Sequence, residues 1–563
     1  MINRVEQPNI LVTNNINTKD KGRSFKGPGT SLLSGLRFLD SSQAIGASAV
    51  DLCSMVIPRT AVEMNNRGFQ SGVETGIREG SSWLLFAIVG VIGSIASILT
   101  SGKFNNEFGV KAQQLYTSGD TINNMSALWK QAEGNQREYF NKFIDSIKGL
   151  NCTEWRTVSE NARPEIINNI QTLAEKTEQL ASSNGANSKL KKEIADLKNL
   201  ITAQIVKDTG ASSSFVLKTQ GVGKGVSSNI SELVDNAVAL SNAFKSVPKE
   251  QLPKFVKALS RNKLASTVLG LAACAVLCCS VQPLNTYLTK KRTGEDGFVG
   301  VKGRSADKSF GFKALKTALS AGFTIMALNT IGKLADLPKN VQFNGKFATI
   351  NQFKLLYGLT ISSRFLSARD KDELREMVIK DTLGFTNWLI FGGMVSKLIA
   401  RAIGGKELIN NPVVQNRNNK GLKYGLQWLA KASTKSYDEI LLPTVDNIAK
   451  NGKVVKFSEM FKKASPEIKS KLAKIAFSQV AGYLYSGLVL GVGIAKLNIF
   501  ITKKLNEKRE KENPQTQSAD RNARGSFENV LNDQQNGKNV GKIDTSYMRL
   551  TKDDLTSVFK DFA

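Results

Sequence analysis

The longest uncharged stretch of the chain lies near its middle. Residues 264–289 contain no charged side chain, and Lys290, Lys291 and Arg292 follow directly. An α-helix of this length rises about 39 Å, which exceeds the roughly 30 Å hydrocarbon core of a bilayer. The apolar part, 264–288, therefore predicts a membrane-spanning helix that ends at a cationic, cytoplasmic surface.

Further apolar segments predict a mainly α, polytopic membrane protein with five or six transmembrane helices. The candidate spans besides the central one are 81–100, 314–334, 353–367, 383–404 and 475–502. Residues 353–367 contain Lys354 and Arg364, so this segment could cross, re-enter or lie flat on the surface. Six crossings satisfy the positive-inside rule better than five, because both basic ends at 290–313 and 503–511 are then cytoplasmic.

Hydrated segments separate the spans and give the predicted organisation of the chain. Two amphipathic helices within 163–207 predict a helical hairpin, either of coiled-coil type or as two surface helices of an α-domain. The predicted regions are a disordered tail (1–30), an amphipathic segment with the first span (31–100), a helical insertion (101–263), a membrane bundle (264–404), a polar helical segment (405–474), the last span (475–502), and a basic stop with a disordered tail (503–563).

Two further helical segments lie close to the predicted spans in sequence. Residues 41–57 could form an interfacial helix or a helix buried against the bundle, ending before Pro58. The charged run 369–381 follows the ambiguous fourth segment. Its density of charge predicts a soluble, solvent-facing helix.

The chain contains no histidine, which excludes Ser-His-Asp and Cys-His catalysis and His-ligated metals. The Gly-rich stretch 220–228 lacks the first glycine and the Ser/Thr of a phosphate-binding loop, and it predicts a linker. Five cysteines in 563 residues imply no disulfide framework. We therefore expect no enzyme activity and no cofactor.

Small residues at helical spacing predict close helix packing within the spans. The candidate packing glycines are Gly90, Gly93, Gly270, Gly322, Gly487 and Gly491. Cys274 and Cys278 share a helix face four residues apart and are weak candidate ligands for a soft metal such as Cu(I). Packing by a small apolar thiol is the favoured interpretation, lipid modification is a third, and no metal is expected.

The formal net charge is +29, from 77 basic and 48 acidic residues. Basic residues are spread along the chain rather than gathered with aromatics in a module, so nucleic acid is not an expected partner. The candidate contacts for anions or anionic lipid head groups are Lys290, Lys291, Arg292, Lys316, Lys397, Arg401 and Lys496. Most lie near span ends, where a lysine can also extend to the membrane surface without further function.

Together these observations predict a non-enzymatic membrane scaffold or anchoring protein of the bacterial cytoplasmic membrane. Its partners would be anionic lipid head groups and proteins bound through 101–263 and the tails, and self-association is left open. The alternative is a transporter or channel for a small, anionic solute. A soluble α-protein with the apolar runs as core helices is a third interpretation.

Overall fold

The computed structural model describes most of residues 28–512. The described ranges are 28–40, 43–183, 187–301, 305–343, 348–391, 393–417, 419–450 and 452–512. The predicted disordered tails fall outside them, except for 28–30 and 503–512. The described chain is mainly α-helical, which confirms the predicted secondary-structure class.

Helices account for the long elements of both halves of the chain. The first ten are α1 (Pro28–Asp40), α2 (Gln43–Val50), α3 (Ile57–Arg67), α4 (Phe69–Phe108), α5 (Gly119–Gln131), α6 (Gln136–Ser146), α7 (Arg163–Ser182), α8 (Ser188–Thr209), α9 (Ile230–Lys245) and α10 (Leu252–Thr293). The second ten are α11 (Phe310–Asn329), α12 (Leu337–Asn340), α13 (Ile350–Ser367), α14 (Lys371–Phe385), α15 (Met394–Gly404), α16 (Gly421–Lys431), α17 (Tyr437–Leu441), α18 (Phe457–Lys463), α19 (Pro466–Tyr485) and α20 (Ile494–Glu512).

In the described part of the chain, three helices continue into π-helical segments. Short strands are also present. The π-helical segments are Asp51–Val56, Thr386–Ile390 and Ser486–Gly493. The strands are β1 (Ile147–Asn151), β2 (Glu154–Arg156), β3 (Phe215–Leu217), β4 (Val226–Ser228), β5 (Ile409–Asn410), β6 (Ser433–Thr434), β7 (Ala449–Lys450) and β8 (Lys453–Val454). The first four form one antiparallel sheet in the order β2-β1-β3-β4.

Two segments that are distant in sequence share one hydrophobic core. Residues 109–251 and 405–465, which we call the hydrated domain, both contribute to it. Buried Glu439 joins them, because its carboxylate accepts from the backbone N of Ser212 at 2.7 Å and from Asn410 Nδ2 at 2.9 Å. The backbone N of Asn411 also donates to the carbonyl of Cys152 at 2.6 Å. The predicted hairpin is the α7–α8 pair within this domain.

The remaining long helices form a bundle, for which we use that name below: α2–α4, α10, α11, α13–α15, α19 and α20. Its central pair is α4 and α10, which run antiparallel. Asn262 Nδ2 donates to the carbonyl of Thr100 at one end, and Asn285 Nδ2 donates to the carbonyl of Glu74 near the other. At about 1.5 Å per residue, both helices reach roughly 60 Å, and they enter the hydrated domain at one end.

Helix α13 contains the segment that the sequence left undecided, and it lies inside the bundle. It runs antiparallel to α11, with Ser320 Oγ donating to the carbonyl of Ser362 at 3.0 Å. It also touches α10, where Ser363 Oγ donates to the carbonyl of Cys279 at 2.8 Å. At 18 residues α13 is about 27 Å long, so it nearly matches the hydrocarbon thickness of a bilayer.

The prediction that the charged run 369–381 is a solvent-facing helix is wrong. This run forms α14, and most of its charged side chains are buried against neighbouring helices. Ion pairs with those helices replace the water that the sequence alone suggested as their environment. Of the predicted segment 41–57, the described residues 43–57 belong to a helical segment, α2 to α3, that packs along α4 and continues past Pro58.

Four helices of the described chain are long and apolar enough to cross a membrane. They are Ile45–Arg67, Ile88–Phe108, Lys249–Thr293 and Pro466–Arg509. Two bent pairs, Phe310–Asn329 with Leu334–Asn340 and Lys371–Ile390 with Met394–Leu408, raise the number to six. The last of these pairs breaks at 391–393, inside the predicted span 383–404.

A glycine contact between the central helices gives a test of the packing. A Cβ at Gly270 would lie 3.3 Å from the Cα of Gly93 and 3.4 Å from the Cβ of Ala96. We expect Gly270→Leu to push α10 away from α4 and to cost about 1–3 kcal/mol of stability. The thermal midpoint of the purified protein, measured by loss of its size-exclusion peak after heating, should fall.

The matched control is Gly322→Leu in α11. Gly322 is exposed, and a Cβ there would meet nothing within 4 Å, so its midpoint should stay unchanged. An equal loss in both variants would contradict the α4–α10 contact.

Candidate functional site

The interior of the bundle contains twelve charged side chains that pair with one another, and we call this set the charge network. Every one of these side chains is at most 7% exposed. The six basic members are Arg59, Arg67, Arg78, Arg364, Arg369 and Lys380, and the six acidic members are Glu63, Glu74, Glu79, Glu373, Glu376 and Asp381.

The centre of the network is the pair of carboxylates on Glu79 and Asp381. Arg364 bridges them, with its guanidinium 3.0 Å from Glu79 and 3.1 Å from Asp381. Arg59 lies 3.8 Å from Glu79 and 3.9 Å from Asp381. Lys380 approaches Glu79 to 3.4 Å. With Arg78 at 3.5 Å from Glu79, four cations surround two carboxylates in this central group.

Two outer groups contain more carboxylates than cations, which is the opposite of the central group. Arg369 lies between Glu74 and Glu373, at 2.8 Å from each. In the second outer group, Arg67 pairs with Glu63 at 3.1 Å and with Glu376 at 2.5 Å. Each outer group therefore has one cation for two carboxylates, and the two together balance the excess positive charge at the centre.

The network connects α3, α4, α13 and α14, and it fixes their relative positions. Ionised groups buried away from water are tolerated only when they are paired and hydrogen-bonded, and within membrane segments they are candidates for function. Here six positive and six negative charges balance in number, although Glu79 Oε1, Asp381 Oδ2 and Arg59 Nε are buried without a hydrogen-bond partner among the described residues. The arrangement can hold four helices in one register, and it leaves no net charge for a free anion.

The π-helical segments pack beside this network. Arg59 Nη2 donates to the carbonyl of Leu490 in the segment Ser486–Gly493, at 3.5 Å. Gly487 and Gly491 of the same segment lie against Ser54 in the π-helical segment Asp51–Val56. π-Helical turns often occur at functional sites, so this region is the second feature of interest in the bundle.

A cleft of about 2740 Å³ is lined by residues of α1, α2 and the hydrated domain. It extends to the break between the two halves of the α14–α15 segment, where Trp388, Gly393 and Ser396 line it. Its walls mix polar and apolar side chains from both the bundle and the hydrated domain.

Several of the predicted anion-contacting cations are instead bonded inside the protein. Lys316 donates to the carbonyl of Ala368 at 3.3 Å. Lys397 donates to the carbonyls of Leu429 and Ala432, at the end of α16. Arg401 stacks over Trp428, with 5.1 Å between the guanidinium carbon and the ring centroid.

The remaining predicted cations lie on the outside of the protein. Lys290 pairs with Asp296 at 2.6 Å, and Lys291, Arg292 and Lys496 are exposed.

The structure also places the predicted packing residues. Gly93 lies against Gly270 and the Phe343 ring. The carbonyl of half-buried Gly90 accepts from Ser94 within α4. Contrary to expectation, no packing neighbour lies against the Cβ position of Gly322.

Cys274 and Cys278 are buried in the bundle core. Among the described residues, no group of three or more Cys, Asp or Glu side chains is placed to hold a metal ion.

Sequence reasoning missed the whole charge network. Several of the pairs join residues far apart in the chain: Arg369 and Glu74 differ by 295 positions, and Arg67 and Glu376 by 309. The one available signal was the density of charge in 369–381 next to an apolar span.

Helix α1 is fastened to the hydrated domain by its own charged residues. Arg37 donates twice to Asp438, at 2.8 and 2.9 Å, and lies over the Phe457 ring. Asp40 is half-buried, and its Oδ2 is enclosed without a hydrogen-bond donor among the described residues. Burial and then the nearby carboxylates of Glu439 and Asp438 raise the pKa of Asp40 to about 8, against a backbone hydrogen bond at Tyr437.

The charge network predicts a large effect of removing one carboxylate from its centre. We expect Glu79→Gln to cost about 3–5 kcal/mol, because four cations then share one carboxylate. The measurement is the thermal midpoint and folded yield in detergent. The control is Glu107→Gln at the other end of α4, whose surface pair with Lys254 is worth at most about 1 kcal/mol. Lys380→Met should partly rescue Glu79→Gln, and a midpoint unchanged by Glu79→Gln would contradict the network.

The raised pKa of Asp40 predicts that docking of α1 onto the hydrated domain depends on pH. The pKa of Asp40 is raised from 3.8 when free to about 8 when docked, so the docked state holds more protons between these values. Docking should therefore weaken as pH rises from about 4 to about 8 and change little above that. Hydrogen exchange of α1 amides across this pH range measures it. Asp40→Asn should flatten the profile, and a native profile that is already flat would refute the assignment.

Comparison with protein-family models, with curated proteins and with solved structures found no significant match. The geometry of the bundle, the charge network and the hydrated domain is therefore the basis for any statement about function.

Proposed function

We propose that this chain is a non-enzymatic integral membrane protein that acts as a scaffold or anchor. Its bundle spans the bilayer seven times, and the hydrated domain is held on one side, where it binds protein partners. The cytoplasmic membrane of a bacterium is the proposed location.

The observation that carries this proposal is the large apolar outer surface of the bundle helices, which also bury polar side chains. In α10 the exposed residues include Val268 and Leu277, at 54% and 42% exposure. The buried residues of the same helix include Gln282, Asn285 and Thr289, each at most 1% exposed, beside apolar residues of the bundle core. Large apolar side chains on the outside of a helix are favourable when hydrocarbon surrounds it.

The same outward apolar surface continues on three other bundle elements. The exposed large apolar residues are Leu84, Val91, Ile95, Ile98 and Leu99 in α4, Leu315, Leu319 and Ile325 in α11, and Phe477, Leu484, Leu488, Leu497 and Phe500 along the α19–α20 segment. A soluble protein of this size would rarely expose so large a contiguous apolar surface.

The count of seven rests on how the chain returns to the hydrated domain. Residues 109–251 and 405–465 share one core, so an even number of crossings must separate them. The elements between them are α10, α11, α13 and the α14–α15 segment, which makes four if α13 crosses. The α2–α3 segment, α4 and the α19–α20 segment bring the total to seven.

The scaffold interpretation is supported by the balanced charge network. Twelve buried charges that pair with one another hold four helices together, and moving one helix would break several of these ion pairs. Such a bundle suits a fixed support better than a machine that changes shape. The hydrated domain then provides the surface for partners.

A second candidate function is transport of a small solute. The broken α14–α15 segment, the π-helical segments beside Arg59 and the cleft that reaches Ser396 favour it, because transporters often bind substrate at interrupted helices. Lys316 and Lys397 no longer support this alternative, since both are bonded to backbone carbonyls inside the protein.

A labelling experiment tests the proposed topology. Single cysteines replace Lys192, Lys450 or Lys313, all exposed, in a variant lacking the five native cysteines. We expect a membrane-impermeant maleimide to modify positions 192 and 450 from the same side, and position 313 only after permeabilisation. Alkaline carbonate should leave the protein in the membrane.

Two results would overturn the proposal. Labelling of 192 and 450 from opposite sides would refute the seven-crossing topology, and release by carbonate would refute membrane insertion. Saturable solute flux in vesicles reconstituted with the native chain, absent from empty vesicles, would favour transport over the scaffold.

A further inference from the structure

The end of the bundle farthest from the hydrated domain collects basic residues from separate parts of the chain. The last turn of α10 contributes Lys290, Lys291 and Arg292, and Lys371 begins α14. Lys308 and Lys313 flank the start of α11 and are both exposed. We call this end, together with the basic last turns of α20, the basic face.

Contacts show that these segments meet at one surface. The backbone N of Asp307 donates to the carbonyl of Arg369 at 2.8 Å, which joins the loop before α11 to the start of α14. Arg509 of α20 lies 2.5 Å from Asp372 of α14.

The C-terminal turns of α20 add Lys503, Lys504, Lys508, Arg509 and Lys511, all exposed, to the same surface. Eleven exposed cations therefore converge on the basic face, although no more than three of them are consecutive in sequence.

Acidic residues are too few to neutralise this surface. The exposed or half-buried acidic residues described there include Glu295, Asp296, Asp307 and Glu507, and buried Asp372 pairs with Arg509. Asp296 forms an ion pair with Lys290 at 2.6 Å. The basic face therefore keeps a clear excess of positive charge, which attracts anionic groups over about one Debye length.

The apolar outer surface of the bundle begins directly beside the basic face. Phe310, between Lys308 and Lys313, is 87% exposed, and Leu315 and Leu319 continue the apolar surface along α11. An exposed aromatic ring between lysines, at the end of an apolar surface, is the arrangement found at the head-group level of a bilayer.

We propose that the basic face binds the head groups of anionic phospholipids in the leaflet opposite the hydrated domain. This inference rests on the proposed membrane insertion. Phosphate oxygens of these lipids accept hydrogen bonds from several lysine and arginine side chains at once, while Phe310 enters the head-group boundary. The lipid then fixes the orientation of the bundle and the side on which the hydrated domain is displayed.

The test compares binding of fluorescent phosphatidylglycerol and phosphatidylcholine to the full-length protein in a neutral detergent. We expect the native protein to prefer the anionic lipid by roughly tenfold or more at low salt, and the preference to decline as salt is added. Lys308→Gln/Lys313→Gln/Lys503→Gln should lose most of this preference.

The matched control is Lys189→Gln/Lys191→Gln/Lys192→Gln, which removes three exposed lysines from α8 of the hydrated domain. It should keep the native preference. Equal binding of the two lipids by the native protein, or an equal loss in both triple variants, would overturn the inference. These outcomes leave membrane insertion intact, since retention after carbonate washing reports on insertion alone.

Discussion

The bundle depends on the pairing of twelve buried charges. Each charge would be costly alone in a medium without water, and the network stabilises these charges through pairs within a helix and between helices. Arg364 illustrates this, because it bonds to α4 through the backbone of Arg78 and the hydroxyl of Ser82 and to α14 through Asp381. The three helices α4, α13 and α14 therefore cannot shift independently. Apolar packing gives the bundle its outer surface, while the charge network determines which helices lie next to each other.

Hydropathy predicts the apolar stretches of the bundle helices, and it does not predict the charged stretches that contain the network. The apolar runs at 81–100, 264–288 and 475–502, of which only the last contains a charged residue (Lys496), all lie within long helical elements of the bundle. By contrast, α3 contains Arg59 and Glu63, α13 contains Lys354 and Arg364, and α14 is rich in charge. A charged residue is ordinarily taken as a sign of water. Here the partners lie on other helices as well as on the same one, and pairs such as Arg364 with Glu79 are hundreds of positions apart, which no local pattern in the sequence reports.

The same limitation explains why several predicted cationic contacts are bonded inside the protein instead. A lysine near the end of an apolar span was expected to reach the membrane surface or a solute. In the structure, Lys263, Lys316, Lys354 and Lys397 each donate to a backbone carbonyl of another element: those of Ala112, Ala368, Thr330, and Leu429 with Ala432. Carbonyls at the ends of helices lack partners within the helix, so an ammonium group is a suitable donor for them. Many other lysines remain outside, among them those of the basic face and of the hydrated domain.

The order of the segments along the chain makes folding of the hydrated domain depend on folding of the bundle. Its first part, 109–251, precedes α10 in the chain. Glu439, whose carboxylate accepts from Ser212 and Asn410, follows only after four bundle elements. Contacts over such separations are slow to form, because the entropy of closing the intervening chain is lost first. Correct placement of α10, α11, α13 and α14–α15 is therefore a condition for closing the domain core. In the proposed topology, a helix inserted in the wrong direction would put the two parts on opposite sides of the membrane, so the domain core could close only after the bundle has assembled.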